Sequence, residues 1–186
     1  MQNKKKEKNK QLLSTVLQLF VVVLIVFLLR TFVIGTIYVK GSSMEPNFHH
    51  GDFLVINKLE VYLSTPRKND VVICRLDNGS SRENIIKRVI GTPGDKIDLR
   101  QDDYGVYQLY INDILIEEPY TAAPMMEKGN VTYPFVVPKG HYFVMGDNRN
   151  ASTDSRRTSI GAIAKEDIMG HVILRLYPFD SICVIE

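Results

Sequence analysis

From Gln11 to Leu29, nineteen residues in succession carry no charge, and most are Leu, Val, Ile or Phe. No other feature constrains the chain as strongly. As an α-helix rising about 1.5 Å per residue the run is roughly 28 Å long, close to the ~30 Å hydrocarbon core of a bilayer. Its apolar side chains surround the helix without a polar stripe, which disfavours a helix lying flat on a membrane surface. Five lysines and one glutamate occupy the first ten residues. Basic residues ahead of a span favour a cytoplasmic N-terminus and a body on the outer face. The expected organisation is a basic cytoplasmic tail over 1–10, a transmembrane anchor over 11–34 and an extracytoplasmic domain over 35–186. Two other readings compete. A cleavable signal peptide has the same basic start, and Val33 or Gly35 could precede a cut, although the run is long and Arg30 interrupts it first. A buried helix of a soluble core also fits the apolarity, but not the neighbouring lysine cluster.

The charge balance divides at the same place. Of 23 basic and 21 acidic side chains among 186 residues, the first ten contribute +4 and the remaining 176 contribute -2. The body is therefore not basic, which argues against nucleic acid as a main partner. Two cysteines, Cys74 and Cys183, are too few for a disulfide scaffold and lack metal-ligand spacing. Each sits in an apolar strand-like run, and separate buried thiols are expected. No metal or cofactor is implied.

Beyond Lys40 the chain breaks into short runs of Val, Ile, Tyr and Phe between Gly, Pro, Asn and Asp, the pattern of strands. Strands are expected at Phe53–Asn57, Val71–Leu76, Ile85–Ile90, Val106–Ile111, Ile114–Glu117, Tyr142–Met145, Val172–Tyr177 and Ile182–Ile185. Asn112-Asp113 predicts a tight hairpin, because both residues tolerate left-handed backbone. Thr92-Pro93-Gly94-Asp95 fits a type II turn. Residues 118–135, with three prolines and Gly129, predict a long loop or a poorly ordered excursion. With no sustained helical periodicity in the body, the fold class is mainly β. One N-terminal transmembrane helix precedes an all-β domain, coiled-sheet or barrel-like.

One strand is unusual. In Asn84-Ile85-Ile86-Lys87-Arg88-Val89-Ile90 alternation places Ile85, Lys87 and Val89 on one face and Ile86, Arg88 and Ile90 on the other. Both faces are apolar apart from one cation each. If both cations are buried, Lys87 can respond by losing its charge, whereas Arg88 needs a carboxylate. The alternative is a strand near an edge whose two cations snorkel to water. Two polar segments stand out as well. Gly41-Ser42-Ser43-Met44-Glu45-Pro46 is by itself an ordinary Ser-rich turn, readable as a linker. Gly146 to Arg157 packs two carboxylates, two asparagines, two serines and three arginines into twelve residues. That composition suits a solvated loop, and equally the partners that Lys87 and Arg88 lack.

Taken together, and in this order, the segments resemble the bacterial type I signal peptidase family. Ser42-Ser43-Met44-Glu45-Pro46 resembles its nucleophile box and Gly51-Asp52-Phe53-Leu54-Val55 the next box. Ile86-Lys87-Arg88-Val89-Ile90-Gly91-Thr92-Pro93-Gly94-Asp95 resembles the lysine box. Gly146 to Arg156 resembles the closing Gly-Asp-Asn…Ser…Asp-Ser-Arg box. The resemblance implies a membrane-bound serine endopeptidase with Ser43 as nucleophile and Lys87 as general base, acting on signal peptides of exported preproteins beside the lipid bilayer. It implies that Ser152 orients the lysine amine, that Asp147 pairs with Arg88, and that Asp154 pairs with Arg156. Ile37, Val39, Phe48, Ile85 and Ile86 are candidates for a substrate pocket admitting small residues. Two positions depart from the pattern. Asn47 stands where the family often has threonine, and Gly41 where some members have a serine that helps bind the oxyanion. The four histidines, His49, His50, His141 and His171, have no part in the family pattern. A self-cleaving Ser–Lys repressor-type protease would need a DNA-binding domain in place of the span. A β-lactamase-type enzyme would need Ser-x-x-Lys, which Ser43-Met44-Glu45-Pro46 is not. A membrane-tethered β-domain that only binds partners is the non-enzymatic alternative.

Overall fold

The computed structural model of the protein describes residues 2–77, 79 and 82–185. Met1 and the side chains of residues 2–9, which carry most of the basic tail, lie outside the described residues. A helix, α1, runs over Gln2–Leu28 and widens into a π-helical turn over Leu29–Val33. It starts earlier than the apolar run because lysine, glutamine and glutamate are good helix formers. Every side chain from Lys10 to Phe32 is exposed. A helix this apolar with no face against the protein is not the core helix of a soluble domain. Its length and composition fit a membrane span.

The last residue assigned to the anchor, Ile34, instead opens the first strand, β1 (Ile34–Tyr38). Then follow β2 (Phe53–Asn57), a one-turn helix α2 (Leu59–Leu63), β3 (Val71–Asp77), β4 (Arg82–Gly91), β5 (Lys96–Gln101) and β6 (Tyr107–Ile111). The remaining strands are β7 (Ile114–Leu115), β8 (Phe135–Val136), β9 (His141–Met145), β10 (Ile163–Ala164), β11 (Ile168–Tyr177) and β12 (Cys183–Val184). The body is mainly antiparallel β, as expected, but not all β. The short α2 forms where Asn57 Oδ1 accepts the Glu60 N–H at 3.3 Å, and Pro66 bars its continuation. Four strands escape sequence pattern. β5, for example, buries Ile97 and Leu99 but alternates them with charged Asp98 and Arg100, so its apolar signal is thin.

Two sheets result. The larger has the order β1-β2-β11-β3-β4-β9-β10, with β12 paired to β11, and the smaller has the order β7-β6-β5-β8. Asn112 and Asp113 turn β6 into β7 with positive φ of 54° and 66°, the left-handed pair a two-residue hairpin requires. Thr92 to Asp95 closes as the expected turn, with Gly94 at φ 90° and the Asp95 N–H on the Thr92 carbonyl at 3.0 Å. Between the sheets, Ile90, Phe143 and Met145 pack with Ile97, Leu109 and Ile111. Residues 118–135 are a long connection but no loose excursion. Met125 is buried and pairs with Tyr107, and Phe135 already belongs to β8.

β4 lies at the centre. It pairs with β3 through Val71↔Arg88 and Val72↔Lys87, and with β9 through Arg88↔Met145 and Val89↔Val144. One apolar cluster receives Ile86, another holds Val89 with Val72, Cys74 and Val144. Both faces of the strand are therefore covered, and Lys87 and Arg88 are 3% and 8% exposed. Neither side chain snorkels.

Candidate active site

The turn that follows β1 brings Ser43 to β4. Val39 N–H bonds the Asp52 carbonyl at 2.9 Å and Gly51 N–H bonds the Val39 carbonyl at 3.1 Å, closing residues 39–52 into a loop. Gly41 enters the turn at φ 84°, a left-handed conformation costly for other residues. Its N–H reaches His50 Nδ1 at 3.2 Å. Met44 and Phe48 are buried beneath the turn in the cluster that also holds Ile86, so the residue after Ser43 anchors the loop while Ser43 stays half-buried at its surface.

Ser43 Oγ and Lys87 Nζ are hydrogen-bonded at 2.7 Å, and Nζ also donates to the Ile86 carbonyl at 3.0 Å. Burial pushes the pKa of Lys87 below the ordinary lysine value, although Asp154, Cys74, Asp147 and Glu83 pull it upward. Among the described residues no carboxylate lies within ion-pair distance of the amine. Cys74 is buried on the neighbouring β3, paired with Ile85, where burial pushes its thiol up to about 12. Cys74 and Cys183 are both free thiols.

The neighbouring cation is treated oppositely. Arg88 donates from Nε to Asp147 Oδ1 at 2.8 Å and from Nη2 to Oδ2 at 2.6 Å, with Nη1 on the Asn69 carbonyl at 2.9 Å. The Tyr120 ring covers the guanidinium at 4.3 Å. Arg156 grips Asp154 in the same two-pronged way, at 2.8 and 2.9 Å, and Asp154 Oδ2 accepts the Gly146 N–H at 3.1 Å. Burial raises the Asp154 pKa, but Arg156 and the Gly146 N–H lower it further, leaving the carboxyl below its ordinary value.

Ser152 is placed differently from the expectation. Among the described residues its buried Oγ has no hydrogen-bond partner, and Lys87 Nζ is hydrogen-bonded to Ser43 Oγ and the Ile86 carbonyl. The pocket candidates separate as well. A groove of about 930 Å³ is lined by Ile37, Val39, Ile85 and Ile86 together with Ser43 and Lys87. Phe48 is 1% exposed and belongs to the core underneath, packed in one cluster with Met44, Leu54 and Ile86.

Several site residues escaped sequence reading. Asn47 Nδ2 donates to Asp147 Oδ2 at 2.8 Å and to the Tyr120 carbonyl at 2.7 Å, tying the serine turn to the Arg88 pair. Its place at a departure from the family pattern was the available signal. Asn148 lies within the closing box and bonds both carbonyls flanking the Ser43 peptide unit, at Ser42 and Ser43. Glu118 pairs with buried Arg149 at 2.7 Å, a contact between distant segments that no local pattern announces.

This chain matches the model of the family described as "Signal peptidase, peptidase S26" over residues 12–177. It is 33% identical to signal peptidase I of Bacillus licheniformis over 97% of both chains. It is 34% identical to signal peptidase I T of Bacillus subtilis over 95% of this chain and 91% of that one. A signal peptidase I of Bacillus amyloliquefaciens is 38% identical over 87% of this chain and 83% of that one. A crystal structure of a signal peptidase I from Enterococcus faecalis superposes with a TM-score of 0.45 at 29% identity, covering 58% of this chain and 97% of that chain. With its family match and these full-length relatives, the chain belongs to the signal peptidase family, peptidase S26, as a serine endopeptidase of the signal peptidase I type.

Proposed function

We propose that the protein removes signal peptides from exported preproteins, with Ser43 as nucleophile and Lys87 as general base. The observation that carries this reading is the 2.7 Å contact between Ser43 Oγ and Lys87 Nζ at the wall of an open groove. A neutral amine has one lone pair and two N–H donors. The lone pair accepts the serine proton while an N–H holds the Ile86 carbonyl. Burial, which lowers the lysine pKa, favours this neutral form.

In the reaction Ser43 Oγ attacks the scissile carbonyl carbon and its proton passes to Lys87 Nζ. The tetrahedral intermediate collapses, Lys87 returns the proton to the leaving amine, and the mature protein departs. The acyl-enzyme, an ester of Ser43, is attacked by a water that Lys87 deprotonates. Ser43 regains its proton, and the signal peptide leaves with a free carboxylate. Asp147 with Arg88, and Asp154 with Arg156, brace the site without reacting.

Two open strand edges support an extended substrate. β1 is an edge of the large sheet, and, among the described residues, residues 82–86 of β4 pair with β3 alone because β9 begins its pairing at Arg88. Both stretches line the groove, so a peptide laid there finds backbone partners. The apolar Ile37, Val39, Ile85 and Ile86 suit small apolar side chains. The α1 helix holds this groove beside the bilayer, N-terminus cytoplasmic and body outside, where the ends of signal peptides emerge. The anchor is retained in this reading. Lys58 donates to the carbonyls of Arg30 at 3.3 Å, Thr31 at 3.4 Å and, through its N–H, Val33 at 2.8 Å. A cut after Val33 or Gly35 would sever these bonds or the first strand.

The test is cleavage of a signal-peptide substrate by the full chain in membrane vesicles. Ser43→Ala and Lys87→Ala should each abolish cleavage while circular dichroism stays unchanged; cleavage retained by either folded variant overturns the dyad.

A further inference from the structure

An oxyanion needs donors that are already aimed when negative charge develops. The Gly41 position offers no side-chain donor here, which leaves the Ser43 N–H as the backbone candidate. Among the described residues this N–H has no hydrogen-bond partner. What holds it in place is on the opposite side of its own peptide. Asn148 Nδ2 donates to the Ser42 carbonyl at 3.2 Å, and Asn148 N–H donates to the Ser43 carbonyl at 3.0 Å. One residue therefore grips the peptide plane on each side of the Ser43 Cα.

We propose that Asn148 is a positioning residue that aims the Ser43 N–H into the groove as an oxyanion donor. The Ser42–Ser43 peptide is trans, so its C=O and N–H point in opposite directions. Ser42 and Ser43 line the groove and Asn148 does not. Drawing the Ser42 carbonyl toward Asn148 turns the N–H toward the substrate. Facing a carbonyl oxygen, only the amide NH₂ of Asn148 can bond; a carboxylate in its place would repel. Gly146 makes room for this grip. A Cβ there would come within 2.4 Å of the Ser43 carbonyl oxygen and 2.3 Å of Ser152 Oγ, pushing the loop away from the serine turn.

This inference rests on Ser43 being the nucleophile, and the experiment separates the two. Full-length Asn148→Ala, Asn148→Asp and Ser43→Ala are assayed in vesicles with a signal-peptide substrate. Two ligands are titrated alongside: a peptide aldehyde, whose adduct with a serine bears an oxyanion, and a reduced-amide analogue that lacks the carbonyl oxygen. Removing an oxyanion donor outright costs about 10²–10³ in kcat; loss of its aim should cost Asn148→Ala roughly 10–100-fold. KM and reduced-amide affinity should stay within about twofold, while aldehyde affinity falls in parallel with kcat. Asn148→Asp, which keeps size and backbone N–H, should lose at least as much as Asn148→Ala. The acid limb of the pH profile should not move, because Lys87 is untouched. Wild-type kcat in Asn148→Ala, equal weakening of both ligands, or loss of fold in both variants overturns the proposal. Activity retained by Ser43→Ala would instead overturn the nucleophile assignment.

Discussion

Lys87 and Arg88 are adjacent on one strand, both are cationic and both are almost fully buried, yet their surroundings differ completely. Arg88 has a bidentate carboxylate, a backbone carbonyl and an aromatic ring. Lys87 has a serine hydroxyl and a backbone carbonyl, with no ion pair among the described residues. Strand alternation sends the two side chains to opposite faces, so each meets a different set of acceptors. Arginine keeps its charge in any protein environment, and the fold supplies the compensation that charge demands. Lysine can shed its proton, and on its face the fold withholds compensation. The difference teaches how a protein makes a base out of a cation: it buries the side chain that can neutralise and pairs the one that cannot.

The contrast can be broken at either end. The largest effect is expected on the lysine side, where Lys87→Ala should reduce kcat/KM by about 10³-fold or more with the fold intact, general-base loss typically costing 10²–10⁴. Steady-state cleavage and a thermal melt check it together. On the arginine side the loss should appear in stability. Asp147→Ala leaves Arg88 buried and unpaired, and should destabilise by about 3–5 kcal/mol in denaturant titration. Replacing both partners, Arg88→Met with Asp147→Leu, should recover most of that loss, because no uncompensated charge remains. A double variant less stable than the single one would count against this account.

The pH profile distinguishes the two cations without mutation. Only neutral Lys87 accepts the serine proton, so kcat/KM should climb about tenfold per pH unit on the acid side, as a single titration requires. Because burial lowers the lysine pKa, the plateau should begin below the ordinary lysine value of about 10.4. The same shift makes the unfolded chain bind more protons than the folded one between the two pKa values. Stability contributed by this group therefore falls as pH drops through that window, and a melt series should show it. A flat rate between pH 5 and 9 would remove Lys87 as the base. The smallest effect is expected from Glu83→Gln, which deletes an exposed charge that raises the Lys87 pKa. The acid limb should move by a few tenths of a pH unit to lower pH, consistent with a screened surface charge.

Legibility in the sequence followed the range of the interactions. The anchor was readable because nineteen uncharged residues in line suffice to span a bilayer. The Asn112-Asp113 hairpin and the Pro93-Gly94 turn were readable because each depends on the backbone freedom of two residues. The paired cations on β4 were readable as a question, since alternation predicts their faces but not their partners. Asn47, Asn148, Glu118 and Tyr120 were not legible as site residues, because each acts through a carbonyl, carboxylate or guanidinium on a remote segment. Phe48 was misassigned to the pocket for the same reason, as nothing local says whether a turn aromatic faces the groove or the core.

By itself, then, the sequence determined an apolar helix that demands a membrane, a body of short strands, and the residue types of a serine–lysine chemistry in family order. These depend on periodicity, length and local backbone preference. Tertiary structure alone decided that Ser43 Oγ meets Lys87 Nζ at 2.7 Å, that Ser152 Oγ makes no hydrogen bond to the amine among the described residues, and that Asn148 grips both peptide planes around Ser43. Those outcomes depend on which acceptor a side chain reaches across forty to a hundred residues of intervening chain, and only the strand order of the larger sheet, which holds β1, β4 and β9 together, brings such groups within bonding distance.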